Sequence, residues 1–138
     1  MVIKNEKRMT AGPNIHKAIT NHCAADSIVV LVDGDDEVLG RYPLKVFNHV
    51  YHKTKADVVY SNHLQFYTHT GSVYRGWSMS YTDQEKRDNR YRDVPQRIAH
   101  LRTFKAKLFL KIKEADLKDE KGEWLTSTYD EVICLPIL

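Results

Sequence analysis

Asp33-Gly34-Asp35-Asp36 is the segment of this 138-residue chain whose residue types and spacing most directly promise chemistry. Three carboxylates within four residues repel one another unless a positive charge sits among them. A hard divalent cation with oxygen ligands, Mg2+ or Mn2+, answers that need, held by one or two carboxylates and by a substrate's phosphates. Gly34 lets the backbone turn tightly between the acids. A hairpin turn is the alternative, since Asp-Gly between apolar stretches is a strong hairpin signal. The flanks speak against it: the upstream run Ile28–Val32 does not alternate, and Val38-Leu39-Gly40 downstream is short. A calcium loop of the EF-hand kind wants Glu about eleven positions after its first Asp. Counted from Asp33 and Asp35, those positions hold Leu44 and Val46.

Other chemistry-bearing sets are weaker. His49 and His52 share a helical face, but nothing near them completes a tetrahedral zinc set. Lys86, Arg87, Arg90, Arg92 and Arg97, with Tyr91 among them, have the composition of a phosphate-tracking loop. Asp83, Glu85, Asp88 and Asp93 interleave with them and cancel most of the field, so a solvated loop and no nucleic-acid partner is expected. Arg102 suits a diphosphate oxygen; a surface Arg beside the acidic loop is the equal alternative. Trp77, after Gly76, is either an exposed stacking platform or a partly buried aromatic. There is no Gly-rich phosphate loop, no HExxH and no GxSxG.

The elements that must position these groups follow from periodicity. Val2-Ile3 reads as a strand remnant. Gly12-Pro13 opens a helix with Ile15, Ala18, Ile19 and His22 on one face. Ser27–Val32 is an unbroken aliphatic run, expected to be a strand buried on both sides in a mainly parallel sheet. It places the acids at its carboxyl end, where open α/β sheets bind ligands. Pro43 starts a second helix, with Leu44, Phe47, Val50 and Tyr51 as its apolar face. Val58-Val59-Tyr60 is a short strand, and residues 61–77 an antiparallel excursion. Residues 81–96 read as a charged loop. Ile98, Leu101, Phe104 or Lys105, Leu108, Phe109 and Ile112 fit a helical stripe over about residues 97–113, which begins near His100 and Arg102. Tyr129–Leu138 looks like a further helix. The order of elements gives an α/β class, with helices flanking a mainly parallel sheet.

Size and composition bound the rest. The length suits one domain, taken as residues 1–138. A hydrophobic fraction of 42% is ordinary for a globular protein, and a net charge of +3 suits a polyanionic ligand without demanding one. Cys23 and Cys134 are far apart and frame no disulfide scaffold, so a reducing, cytoplasmic setting is expected. No apolar run approaches the roughly 20 residues of a membrane span.

Several blocks together resemble a known family. Ile28–Asp36 resembles the strand and DxD element of family-2-like GT-A glycosyltransferases, in a branch that includes enzymes encoded by large DNA viruses. Asn14–Ile19, Val46–Tyr51 and Asp57–Tyr60 resemble the elements around it. His100-Leu101-Arg102-Thr103-Phe104 with Leu108, Phe109 and Ile112 resembles that branch's HLRTF…LF..I helix. Tyr129-Asp130-Glu131 with Leu135-Pro136 resembles the segment that carries its catalytic base. The resemblance covers about residues 10–138. It implies a partial GT-A fold and transfer from a nucleotide sugar, a UDP-sugar by that resemblance, to a glycan or protein acceptor with inversion. It implies Mn2+ or Mg2+ on Asp35 and Asp33, and donor contacts from Asp33, Asp35, Asp36, His100 and Arg102. Asp130 is then the base, with Glu131 as its substitute and Trp77 on the acceptor side. If the chain is viral, its setting is the host cytoplasm. Glu37 stands where the family favours Trp, and the family's first β-α-β portion has no counterpart. Self-association, or a separate polypeptide supplying that portion, is therefore expected.

Overall fold

The computed structural model describes residues 2–138. They gather into two compact units, one made of the segment up to Val29 with Lys105–Leu138, the other of Val30–Phe104.

In the first unit, helix α1 (Ala11–His22) follows Thr10 and carries Pro13 in its first turn, where no intrahelical N–H is needed. Its apolar stripe buries Ile19. His16, on the same helix, packs its ring 6.0 Å from Phe109 and 5.3 Å from Trp124. The short helix α4 (Ala106–Phe109) buries Ala106 and Phe109. The amides of Ala106 and Lys107 donate to the carbonyls of Ser27 and Ala25, at 2.8 and 2.9 Å. A 3-10 turn, Glu114–Leu117, buries Leu117. Helix α5 (Tyr129–Ile137) buries Ile133, Cys134 and Ile137 and packs against α4. Val2 is fully exposed and belongs to no strand, so the expected strand remnant at Val2-Ile3 is absent.

The second unit is organised by a three-stranded sheet in the order β1-β5-β2, from β1 (Ile28–Leu31), β5 (Arg102–Lys105) and β2 (Val58–Tyr60). The chain passes between the units inside β1 and at the end of β5. β2 runs antiparallel to β5, with Val59 opposite Thr103. A separate hairpin, β3 (Leu64–Tyr67) and β4 (Ser72–Arg75), is also antiparallel. The mainly parallel sheet of a partial GT-A fold is therefore overturned: the strands form two small sheets whose registered pairs are antiparallel. β1 also differs from the doubly buried strand expected, since only Val29 is buried and Val32 stands exposed beyond it.

The physical reason lies in residues 97–113. The expected long helix there is a loop, then β5, then α4. Its apolar residues match a helical period, but Arg102 and Thr103 between them are buried as well. A central strand buried on both faces shows no alternation, so its pattern can pass for a helical stripe. Thr103 secures the strand: its hydroxyl donates to the Val59 carbonyl at 2.5 Å and shares a 2.8 Å hydrogen bond with the Tyr51 hydroxyl. Burial pushes the Tyr51 phenol up from its ordinary pKa, against the lowering effect of the Thr103 hydrogen bond.

Helix α2 (Pro43–Thr54) begins at Pro43 and ends at Lys55 in the left-handed region, φ 58°. Of its expected apolar face only Tyr51 is buried, and Leu44 is exposed. Residues 81–96 hold a short helix, α3 (Asp83–Arg87), started by a capping box between Thr82 and Glu85. Lys86 and Arg90 pair with Asp83 and Asp93, at 3.6 and 3.4 Å. Arg97 is fixed by Glu85 and by the Ser80 carbonyl, 3.1 Å away. Lys86, Arg90 and Arg97 are thus paired with acids of the same stretch. Among the described residues no helix is long and apolar enough to cross a membrane.

Candidate metal centre

The turn after β1 is closed by the Asp36 amide, which donates to the Asp33 carbonyl at 3.1 Å. This brings the side chains of Asp33 and Asp36 to one side. The third member comes from far along the chain. Beyond the last registered pair of β2 and β5, Ser61 continues the ladder: its amide donates to the Leu101 carbonyl at 3.2 Å. Its hydroxyl donates to the His100 carbonyl at 2.9 Å and accepts the Leu101 amide at 2.7 Å. These three bonds fix the backbone that carries His100.

His100 Nδ1 stands 2.7 Å from an Asp36 carboxylate oxygen and 3.7 Å from one of Asp33. Nδ1 is buried, and these two carboxylates are the charged groups beside it. Asp33, Asp36 and His100 each offer a ligand atom, all within 4.8 Å of one another, and they could hold a metal ion. Among the described residues this is the one such group.

Arg102, the first residue of β5, completes the local charge balance. It is buried, and its guanidinium lies 3.6 Å from Asp33 and 3.2 Å from His100 Nε2. A guanidinium only donates, so Nε2 accepts this hydrogen bond, and Nδ1 is the ring nitrogen beside the carboxylates, the one that would hold a cation.

The structure thus brings together Asp33, Asp36, His100 and Arg102 of the expected donor residues. Asp35, expected as a main metal ligand, is exposed on the turn and lies outside the group. His100 and Arg102 sit on a loop and a strand, not at the head of a helix. Trp77 is half exposed and packs edge-on against His63, with ring centroids 6.3 Å apart. Asp130 and Glu131 open α5 and belong to the other compact unit. His49 and His52 are exposed on α2 and take no part.

Sequence reasoning took His100 as a donor contact but not as a metal ligand, and it did not single out His63. The available signal was weak: a lone His about 65 positions from the acids carries no ligand spacing. Comparison with protein-family models, curated proteins and solved structures finds no match to this chain.

Proposed function

We propose that Asp33, Asp36 and His100 hold a divalent cation through which the chain binds the diphosphate of a nucleotide sugar, as the donor site of a glycosyl transfer to an acceptor hydroxyl. The observation that carries this reading is the convergence of two carboxylates and one imidazole within 4.8 Å. When bound, the cation supplies Lewis acidity at the leaving diphosphate. Asp33 and Asp36 bring the negative charge that retains it. The imidazole of His100 weights the choice toward Mn2+ over Mg2+, because nitrogen ligands suit softer ions. Arg102 holds Asp33 in place from the buried side. The exposed face of Trp77 offers a stacking surface to a sugar. The order of the sequence blocks supports a UDP-sugar as donor. The reading rests on the site and not on the fold, which a function does not require.

A non-catalytic binding module is the second reading. It is favoured by Arg102 and His100, which already sit among the acids and lower their mutual repulsion. Calorimetric titration of the full chain with Mn2+, then with UDP in the presence and absence of Mn2+, tests the proposal, together with hydrolysis of UDP-glucose. UDP binding that requires Mn2+, is lost in Asp36→Asn, and goes with donor turnover is the expected result. Binding without turnover selects the module. UDP binding indifferent to Mn2+, or none at all, overturns the donor site.

A further inference from the structure

The hairpin of β3 and β4 leaves an apolar face bare. Its strands read Leu64-Gln65-Phe66-Tyr67 and Ser72-Val73-Tyr74-Arg75, and the antiparallel register sets Phe66 opposite Val73 and Leu64 opposite Arg75. Residues directly opposite share a face, and successive residues point to opposite faces. One face therefore carries Leu64, Phe66, Val73 and Arg75. The other carries Gln65, Tyr67, Ser72 and Tyr74, where the two tyrosine rings pack edge-on with centroids 5.6 Å apart. Such alternation belongs to an antiparallel sheet with one covered face and one wet face. Here the face built for cover has none: Leu64, Phe66 and Val73 are 55%, 64% and 56% exposed. A lone two-stranded hairpin is at best marginally stable until a face is packed.

The charges around the hairpin narrow the choice of occupant. From Val58 to Thr82 there is no Asp or Glu, and Arg75 is the only Lys or Arg. A nucleic acid calls for several cations along its phosphates, and an anionic lipid surface calls for a cluster of them. An almost uncharged apolar face suits another of its own kind.

We infer that two copies of this chain pair through the Leu64, Phe66 and Val73 face, one hairpin stacked on the other. The register makes the face complementary to itself. A two-fold axis parallel to the strands and midway between them lays β3 of one copy over β4 of the other. Phe66 of each copy then covers Val73 of the other, a large side chain over a small one. Leu64 covers the aliphatic stem of Arg75, whose guanidinium reaches water at the rim. The polar face with its tyrosines stays wet. The area sets the strength. The half-exposed side chains bury on the order of 400 Å2 per copy, about half of what one partner gives to a standard interface. The dimer is therefore weak and depends on concentration. The pairing does not depend on the cation site.

Sedimentation equilibrium of the full chain, from about 1 to about 500 µM, tests the pairing. The mean mass is expected to climb from that of one chain toward that of two. Phe66→Glu puts a charge into each half of the contact and should weaken association at least about 30-fold. Gln65→Glu adds the same charge one residue away, on the wet face, and should leave association unchanged. Near-UV circular dichroism checks that both variants are folded. In a mixed sample, isotope-filtered NOEs should join the Phe66 ring of a labelled copy to the Val73 methyls of an unlabelled one. A chain that stays monomeric throughout overturns the inference, as does association that Phe66→Glu leaves intact. Filtered NOEs between tyrosines of the wet face, in place of the Phe66–Val73 contact, overturn it as well. So does a monomer that sediments with phosphatidylcholine–phosphatidylserine vesicles and is released by Phe66→Glu, which gives the face to lipid.

Discussion

Replacing Ser61 with Ala tests how the candidate centre is assembled. The hydroxyl makes two hydrogen bonds, one given to the His100 carbonyl at 2.9 Å and one taken from the Leu101 amide at 2.7 Å. Each is worth about 1 kcal/mol net, and a partly buried amide left without its partner adds to the loss. The removal of both is therefore set at about 2 kcal/mol. For a chain of this length that corresponds to a fall of roughly 6–8 °C in Tm. Alanine keeps the Ser61 amide and its 3.2 Å bond to the Leu101 carbonyl, so the strand pairing survives and the damage is local. The backbone that carries His100 then keeps one of the three bonds that fix it, and Mn2+ affinity should fall about 10- to 100-fold, as for other residues that orient a ligand. Urea and thermal melts give the stability, and calorimetry gives the affinity. Ser61→Thr retains the hydroxyl and should recover most of both. A Ser61→Ala variant within about 0.5 kcal/mol of wild type, binding Mn2+ as tightly, refutes the claim that Ser61 positions His100.

Two further outcomes follow from the same unit. Tyr51→Phe removes the 2.8 Å bond to Thr103, whose hydroxyl keeps its bond to Val59, so denaturant melts should show a loss of about 1 kcal/mol and not more. Glu85 accepts the Thr82 amide at 2.7 Å, and this bond, together with the Thr82 hydroxyl and Arg97, holds its carboxyl below the usual carboxylate range. A depressed folded pKa gives stabilisation that is complete above the unfolded value of about 4.3 and is lost as pH falls through the folded one. Amide exchange of α3 should accordingly quicken in that acid window and be insensitive to pH in Glu85→Gln, beyond the intrinsic pH dependence of exchange. A protected α3 at pH 2 would falsify the linkage.

Much of the local structure is legible in the sequence because it is decided locally. Pro43 starts α2 where its missing amide costs nothing, and Val58–Tyr60 is a strand as its β-branched and aromatic content predicts. The excursion at residues 61–77 is a hairpin, and the acids follow β1 on a tight turn. The sheet was not legible. Its direction depends on which strands meet, and the central one hides inside a stripe that satisfies a helical period equally well. Pairing with Val59 and Tyr51 makes a buried Thr103 affordable, and Asp33 and His100 are among the partners of the buried Arg102.

The candidate centre divides the same way. Sequence alone determined that carboxylates crowd at 33–36 and that such crowding calls for positive charge. Tertiary structure decided which of them converge: Asp33 and Asp36, with Asp35 turned out to solvent. It also decided that His100 joins them and that His63 stands beside it over Gly76. Those residues are separated by tens of positions and share no spacing rule. They meet because antiparallel pairing of β2 with β5 sets Ser61 beside Leu101, and the β3–β4 hairpin folds Gly76 back onto His63.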